Sequence, residues 1–293
     1  MTLLNKTVRE LVVSGCDALK NAGIENSDFE ALEICLSCTG IDKTSFLLSP
    51  ESEASEEAVK RFNDMISERI GGRPLQYILG EWSFFGRSFA VGEGVLIPRP
   101  ETEQLADMCI SEIKKRGFKT VFDLCAGSGC IGITIALECP STEVWLFELF
   151  DGAFDFLKKN ADYYQNGRIH TVRCDVLRGA TDNLPVPELI VSNPPYIPTR
   201  ELDSLQSEVR REPVTALDGG ENGLVFYGAV ADKWLPLLRD GGFVAVEAGE
   251  GQSDEISNMF TPYGATNSVS DFYGVRRFVT LNKRRKENAD NIV

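Results

Sequence analysis

The sequence contains a single histidine, His170, among its 293 residues. Its eight cysteines are scattered, and only Cys35 and Cys38 have the spacing of a CxxC pair. A zinc site of cysteine and histidine needs a second such pair, so we predict no metal site. Cys35 and Cys38 also share a helical face with Ala31 and Ile34, which favours two core cysteines on a helix.

Long apolar runs are also absent. No stretch approaches the ~20 apolar residues that a membrane-spanning helix requires. Lys6, Arg9 and Glu10 interrupt the first apolar residues, which is unlike a secretory signal. We therefore expect a cytoplasmic protein in a reducing compartment, with no membrane partner.

The sequence has fewer basic than acidic residues, with 30 Lys and Arg and 44 Asp and Glu, which gives a net charge of −14. Proteins that bind nucleic acid through its phosphates usually carry a basic face, so this balance argues against tight non-specific DNA or RNA binding. A cationic ligand or a basic protein partner fits the charge better.

The distribution of apolar residues predicts two domains. Helical spacing in the first part predicts a small helical domain over residues 1–75, with apolar faces formed by Val8, Leu11, Val12 and Leu19 and by Val59, Phe62, Ile66 and Ile70. Gly71 and Gly72 are expected to end the second of these helices. Aromatic, β-branched and glycine residues over 76–98 predict a hairpin linker. A larger domain over 99–283 and a charged tail over 284–293 follow.

The larger domain alternates short apolar strands with helical stretches. The predicted strands cover residues 121–124, 144–148, 171–174, 189–192 and 243–247, with a last one around 277–281. Strands that are apolar on both faces are typical of a parallel sheet covered by helices. We therefore expect an α/β fold with a doubly wound sheet, whose ligand binds beyond the carboxyl ends of the strands.

A glycine-rich loop follows the first predicted strand. Gly127, Gly129 and Gly132 fit the pattern GxGxxG, and Glu148 closes the next strand. Such a loop lets the backbone approach a ligand, and the carboxylate suits the two hydroxyls of a ribose. The pattern fits NAD and S-adenosylmethionine alike, and a glycine turn without a ligand is the third interpretation.

Acidic side chains at the strand ends favour S-adenosylmethionine. Asp123, which enters the glycine loop, would repel a pyrophosphate but attract a sulfonium and an α-amino group. Asp175 ends the third strand and is a candidate acceptor for the adenine amino group, although an exposed loop carboxylate fits the spacing equally well.

The fourth predicted strand runs into Asn193, Pro194, Pro195 and Tyr196, the most specific signal in the chain. The Asn193 side-chain oxygen and the Pro194 carbonyl would accept both hydrogens of a planar NH2 group. This favours the pyramidal geometry in which the nitrogen attacks a methyl group, without a general base. Tyr196 would pack its ring on the substrate. The alternative is a proline-rich turn that merely closes a strand.

These motifs resemble the release factor glutamine N5-methyltransferases. The resemblance extends over 73–80, 96–103, 191–196, 212–213 and 216–220, and covers about residues 60–283. It implies a Rossmann-like methyltransferase domain, S-adenosylmethionine as cofactor, S-adenosylhomocysteine as product, and the glutamine of the Gly-Gly-Gln motif in class 1 peptide chain release factors as substrate. We expect a monomer with no direct nucleic-acid partner.

The resemblance also implies roles for individual residues. The cofactor would be held by Cys125, Ala126, Gly127, Ser128, Gly129, Glu148 and Asn193, with Val176 along its adenine. Asp123 and Asp175 complete the predicted cofactor residues, on the strand-end argument given above. The glutamine would be held by Asn193, Pro194, Pro195 and Tyr196. Arg99 and Glu103 would line a substrate cleft between the domains, and the helical domain would dock the release factor.

Two residues depart from the family pattern. The family usually has glycine where Cys125 stands and often aspartate where Glu148 stands. Cys125 is small enough for the loop if its φ is negative, and Glu148 should still reach a ribose.

Three other functions remain as alternatives. A nucleic-acid amino-methyltransferase acting on adenine N6 or guanine N2 would use the same acceptors, although the acidic charge argues against it. A non-catalytic binding module and an NAD-dependent reductase would leave residues 193–196 without a role.

Overall fold

The computed structural model describes residues 6–180 and 183–285. The chain folds as two compact units that divide between Glu81 and Trp82, which lies within the predicted linker over 76–98. Of the predicted charged tail, only Arg284 and Arg285 belong to the described residues.

The first unit is helical. Its helices are α1 (Val8–Asn21), α2 (Ser27–Thr39), α3 (Lys43–Leu48), α4 (Glu56–Ile70) and α5 (Leu75–Leu79). Thr7 and Glu10 form a capping box that satisfies the first N–H groups of α1. The helices pack through buried apolar residues such as Leu11, Ile34 and Phe62. Cys35 and Cys38 are buried in α2, which confirms their predicted core position.

Two expectations for this part of the chain were wrong. Ile70, placed on the core face of α4, is 47% exposed. Its neighbour Arg69 is buried instead, because it pairs with Glu30 of α2. Tyr77 was expected in the hairpin, but it lies in α5.

A short hairpin follows α5, and its first residue is the last residue of the helical unit. It consists of β1 (Glu81–Phe84) and β2 (Arg87–Ala90). Phe85 and Gly86 connect them with φ values of 53° and 70°. Positive φ at both central residues is the geometry whose twist matches a two-residue hairpin.

A seven-stranded sheet forms the centre of the second unit. Its strands are β3 (Thr120–Leu124), β4 (Glu143–Glu148), β5 (Ile169–Arg173), β6 (Leu189–Ser192), β7 (Phe243–Glu247), β8 (Gly264–Ser270) and β9 (Arg276–Lys283). They are arranged in the order β5-β4-β3-β6-β7-β9-β8. The first five in this order are parallel, and β9 and β8 are antiparallel to their neighbours.

Helices cover both faces of this sheet. They are α6 (Pro100–Arg116), α7 (Cys130–Glu138), α8 (Asp151–Tyr164), α9 (Val225–Ala229) and α10 (Ser253–Phe260). Side chains alternate across a strand, so Val121 packs with α6 and α7 while Phe122 packs with Trp234 on the other face. This confirms the doubly wound α/β prediction.

The edge strand β8 was not predicted. Its sequence, Gly264–Ser270, contains Thr, Asn and Ser, and its burial is low because only β9 pairs with it. An edge strand can be polar, so it carries no apolar run to reveal it.

None of the helices in the described ranges has the length and apolar character needed to cross a membrane.

Candidate active site

The carboxyl ends of four parallel strands surround one cavity. Leu124 at the end of β3 lies beside Phe147 of β4 and Ser192 of β6. The residues that come after or close these strands, Cys125 and Glu148 among them, line the same cavity. Parallel strands therefore bring together segments that are far apart in the sequence, as the sequence predicted.

The glycine-rich loop forms one wall of the cavity. Cys125, Ala126, Gly127 and Ser128 line it, and α7 begins directly after Gly129. Gly129 does not line the cavity, but its φ is 81° and a Cβ there would lie 2.6 Å from Leu157 Cδ1. A glycine is needed at this position because the helix packs so closely on its neighbour.

Asp123, near the end of β3, was expected to contact the cofactor. It is completely buried and is not among the residues that line the cavity. Its Oδ2 accepts the N–H of Gly132 at 2.9 Å, in the first turn of α7. Burial raises its pKa to about 7, against the opposing effect of that hydrogen bond. Oδ2 therefore holds the first turn of α7, while Oδ1 is buried and has no hydrogen-bond partner among the described residues. The predicted role of Asp123 toward the cofactor stays a prediction.

Glu148 and Asp175 both line the cavity. Glu148 Oε2 accepts the N–H of Gly127 at 3.0 Å, and its Oε1 accepts those of Leu149 and Phe150. A carboxylate has further lone pairs, so Glu148 can still accept from a ligand hydroxyl. Asp175 Oδ1 accepts the N–H of Leu177 at 3.0 Å, which fixes the loop after β5.

Asn193 also lines the cavity, beside Pro195. Its Nδ2 donates to Thr102 Oγ1 at 3.2 Å. Within residues 6–180 and 183–285, no group donates to Asn193 Oδ1 or to the Pro194 carbonyl. These two oxygens are the acceptors that the sequence singled out. The Asn193 side chain lies on the cavity, and the use of the Pro194 carbonyl stays a prediction.

Pro194 and Tyr196 do not line the cavity, unlike their neighbours. Pro194 is buried. The Tyr196 hydroxyl lies 3.5 Å from Glu247 Oε1, and its carbonyl accepts from Gln252 Nε2 at 2.8 Å. A Cβ at Gly223 would lie 2.2 Å from the Tyr196 carbonyl oxygen, so the segment is packed against a glycine loop.

Arg99 and Glu103 have separate environments. Arg99 lines the cavity and forms an ion pair with Glu212, which also accepts the N–H of Ile97 at 3.0 Å. Glu103 does not line the cavity; it accepts the N–H of Phe85 at 2.7 Å. Their predicted place in a cleft between the domains stays a prediction.

The lining of the cavity suits a nucleoside attached to a cationic group. Leu96, Ile131, Phe147, Val176 and Phe226 supply apolar walls, and Glu148 and Asp175 supply carboxylates. Apolar walls with a few polar groups are typical of a small-molecule site. The described part of the chain holds no group of three or more metal-ligating side chains.

Comparison with known proteins identifies the family. The family model of the PrmC N-terminal domain matches residues 10–80, and that of the methyltransferase small domain matches residues 101–225. A protein from Clostridium botulinum named release factor glutamine methyltransferase is 33% identical over 94% of this chain and 99% of its own length. The chain belongs to the release factor glutamine methyltransferase family. A relative of the same name from Geobacter sulfurreducens is 32% identical over 93% and 95% of the two chains.

Solved structures support the fold of this family member. The catalytic domain of hMettl16, in complex with MAT2A 3'UTR hairpin 6, matches with a TM-score of 0.54 and 16% identity over 75% of this chain and 82% of that one. A methyltransferase from Pyrococcus furiosus matches with a TM-score of 0.50 and 15% identity over 69% and 91%. Both comparisons bear on the methyltransferase fold alone.

Two residues next to Asn193 were missed by sequence reasoning. Thr102 lines the cavity from the first turn of α6, and Glu247 ends β7 and is 2% exposed. Glu247 was visible as an acidic strand end, which is the signal that singled out Asp123 and Glu148. Thr102 lies in a stretch that resembles the family, but nothing in its spacing pointed to Asn193.

Cys125 has a φ of +59°, so the condition under which cysteine would fit the loop, a negative φ, is not met. The left-handed region costs a residue with a Cβ about 1–2 kcal/mol. Burial raises the pKa of its thiol well above the usual range, so the side chain stays neutral. Cysteine is therefore tolerated here at a cost in backbone strain.

Replacing Cys125 by glycine and by alanine should separate this strain from the loss of the sulfur atom. Both variants lose the thiol, but only glycine relieves the positive φ. We expect Cys125→Gly to be about 1 kcal/mol more stable to denaturant than Cys125→Ala. Equal stability of the two variants would contradict the strain.

Proposed function

We propose that this protein transfers a methyl group from S-adenosylmethionine to the side-chain amide nitrogen, N5, of the glutamine in the Gly-Gly-Gln motif of class 1 peptide chain release factors. The observation that carries the proposal is the position of Asn193. Its amide oxygen has no donor among the described residues, and it lies on the cavity that the glycine-rich loop and Glu148 also line. Relatives named for this activity share most of the chain.

The cofactor would bind along the ends of β3, β4 and β5. In this proposal the loop from Cys125 to Ser128 lies along the amino-acid part, Glu148 accepts from the ribose, and Asp175 and Val176 contact the adenine. S-adenosylmethionine supplies a methyl group on a sulfonium and leaves as the thioether S-adenosylhomocysteine. The acidic lining favours this cation over a pyrophosphate.

The residues at 193–196 would activate the substrate nitrogen. Asn193 Oδ1 and the Pro194 carbonyl accept its two hydrogens, which opposes the delocalisation of the lone pair into the amide. A bond from this nitrogen to the methyl carbon forms as the carbon–sulfur bond breaks, and the nitrogen then loses one proton to water. Most of the catalysis is placement of the two reacting atoms in line.

Further parts of the proposal concern the substrate protein. The helical unit, which matches the PrmC N-terminal domain, would dock the body of the release factor. Arg99 and Glu103 would take part in holding the glutamine loop. We further propose that the enzyme acts as a monomer in the cytoplasm, with no direct nucleic-acid partner.

Mass spectrometry of the reaction product tests the substrate. The enzyme is incubated with S-adenosylmethionine and a class 1 release factor, and the peptide that contains Gly-Gly-Gln is sequenced. We expect one added methyl group on the glutamine side chain and none on a release factor whose glutamine is replaced by alanine. Parallel reactions contain RNA or DNA, and methyl transfer to nucleic acid alone would overturn the proposal.

Calorimetry tests the cofactor independently of turnover. We expect S-adenosylmethionine and S-adenosylhomocysteine to bind and NAD to give no heat. Glu148→Gln should weaken S-adenosylmethionine binding, because it removes the charge that faces the ribose hydroxyls. Binding of NAD in place of S-adenosylmethionine would exclude the proposed chemistry.

A further inference from the structure

A chain of buried polar groups lies behind Asn193. Thr102 Oγ1 donates to Glu247 Oε2 at 2.7 Å and accepts from Asn193 Nδ2 at 3.2 Å. Thr102 and Glu247 are each 2% exposed. The strands explain the proximity, because Ser192 of β6 lies beside Val246 of β7, so the next residues, Asn193 and Glu247, are also neighbours.

A hydroxyl group has a single hydrogen, and this limits the possible arrangements. An ionised Glu247 can only accept, so Thr102 must give its hydrogen to the carboxylate. The Thr102 oxygen is then left with lone pairs alone. It can therefore receive the NH2 side of the Asn193 amide but cannot donate to the oxygen side.

We propose that Thr102 and Glu247 are positioning residues that hold the Asn193 amide with its oxygen, rather than its nitrogen, directed to the substrate. This inference rests on the proposed function, in which the substrate presents an NH2 group. With the amide reversed, the NH2 group of Asn193 would face the NH2 group of the substrate. The substrate hydrogen would then have no acceptor. The direction of the hydrogen bonds from Asn193 to Thr102 and from Thr102 to Glu247 thus decides whether the Asn193 side chain can accept from the substrate.

The charge on Glu247 is part of this device. Titratable groups lie near it on every packed element: Arg99 and Glu101 at the start of α6, Tyr196 after β6, Cys130 in α7, Tyr227 in α9 and Arg277 in β9. Burial raises the pKa of Glu247 to about 7, while Thr102 and the two arginines oppose that shift. A protonated Glu247 can donate to Thr102, which frees the Thr102 hydrogen for the Asn193 oxygen and permits the reversed amide.

Two substitutions of Thr102 test the hydroxyl. Thr102→Val keeps the branched shape and removes the oxygen, whereas Thr102→Ser keeps the oxygen and removes a methyl group. With a release factor as substrate, we expect kcat to fall about 10-fold or more in Thr102→Val and to stay within about threefold of the wild type in Thr102→Ser. Thermal unfolding and S-adenosylmethionine affinity, measured for both variants, verify that they fold and bind the cofactor.

The pH profile tests the carboxylate separately. The ionised form of Glu247 is the active one, so the wild-type kcat should fall as the pH decreases through about 7. Glu247→Gln cannot titrate and should lose this acidic limb, at a lower plateau rate. Asp123 also has a pKa raised to about 7, so the pH profile of Asp123→Asn is measured alongside. Loss of the limb in Asp123→Asn but not in Glu247→Gln would assign the titration to Asp123 and overturn the role of Glu247.

Several results would overturn the inference. They are a normal kcat in Thr102→Val, an equal loss in Thr102→Val and Thr102→Ser, or an acidic limb that persists in Glu247→Gln. The proposed function fails separately, because in that case the wild-type enzyme adds no methyl group to the glutamine. A wild-type enzyme that methylates glutamine alongside a fully active Thr102→Val would refute the positioning role alone.

Discussion

Asn193→Ala is expected to lose at least about 2 kcal/mol of transition-state stabilisation, which is about 30-fold in kcat/KM. The alanine variant keeps the Pro194 carbonyl but removes the second acceptor of the substrate NH2 group. The nitrogen would then keep more of its amide resonance and attack the methyl group more slowly. Steady-state kinetics with a release factor, followed by mass spectrometry of the Gly-Gly-Gln peptide, measures the loss.

The fold should survive this substitution, because within the described part of the chain Asn193 makes one side-chain hydrogen bond, to Thr102. Asn267→Ala is a matched control, since Asn267 is an exposed asparagine in β8 of the same unit. We expect normal kinetics for the control and an unfolding temperature close to the wild type for both variants. Near-normal turnover in Asn193→Ala would show that one acceptor is sufficient and would contradict the proposed activation of the nitrogen.

The sequence predicted the sheet well where packing is the same on both sides. The strands β3, β4, β6 and β7 are covered by helices on both faces, so each contains an apolar run. β8 pairs with one strand only and is little buried, so it can contain polar residues such as Thr266 and Asn267. A strand of this kind is determined by pairing with β9 and leaves no hydrophobic pattern of its own.

The same acidic signal at a strand end had two different outcomes. Asp123 and Glu247 both end or nearly end a strand, and both side chains point to the α6 and α7 face. Asp123 Oδ2 accepts a hydrogen bond from the N–H of Gly132, whereas Glu247 Oε2 accepts one from the hydroxyl of Thr102. Which helix end lies above each carboxylate depends on helix packing, and a strand pattern contains no information about that.

The position of the Asn193 amide was likewise beyond the sequence. The proline pair predicted acceptors at the end of β6, and neither oxygen has a donor among the described residues. The partner that orients the amide is Thr102, which is 91 residues away along the chain. A contact at such separation follows from the docking of α6 against β6 and β7, so local spacing cannot reveal it.

Glu30→Ala is expected to destabilise the helical unit by about 3–5 kcal/mol. Glu30 in α2 accepts from Arg69 Nε at 2.5 Å and from Arg69 Nη2 at 3.2 Å, and the arginine is 3% exposed. Arg69 Nη1 also donates to the Arg73 carbonyl at 3.3 Å, so the guanidinium is fixed in place. Removal of the carboxylate deprives a buried guanidinium of the two hydrogen bonds that Glu30 accepts.

The measurement must report on the helical unit alone. All three tryptophans, Trp82, Trp145 and Trp234, lie after Glu81, so tryptophan fluorescence follows the other unit. Hydrogen exchange of the peptides from α2 and α4, across a denaturant series, gives the local free energy of unfolding. We expect faster exchange in both helices of Glu30→Ala and no change in peptides from β3 to β7.

An exposed ion pair in the same unit separates burial from charge. Arg9 and Glu51 are 2.7 Å apart, with side chains 58% and 66% exposed, so Glu51→Ala should change exchange little. The double variant Glu30→Ala, Arg69→Met should be less destabilised than the sum of its two single substitutions, because it leaves no buried charge. If Glu30→Ala costs no more than Glu51→Ala, water reaches Arg69 and the pair contributes little. A full cost in the double variant would instead attribute the loss to packing, since both charges are then absent.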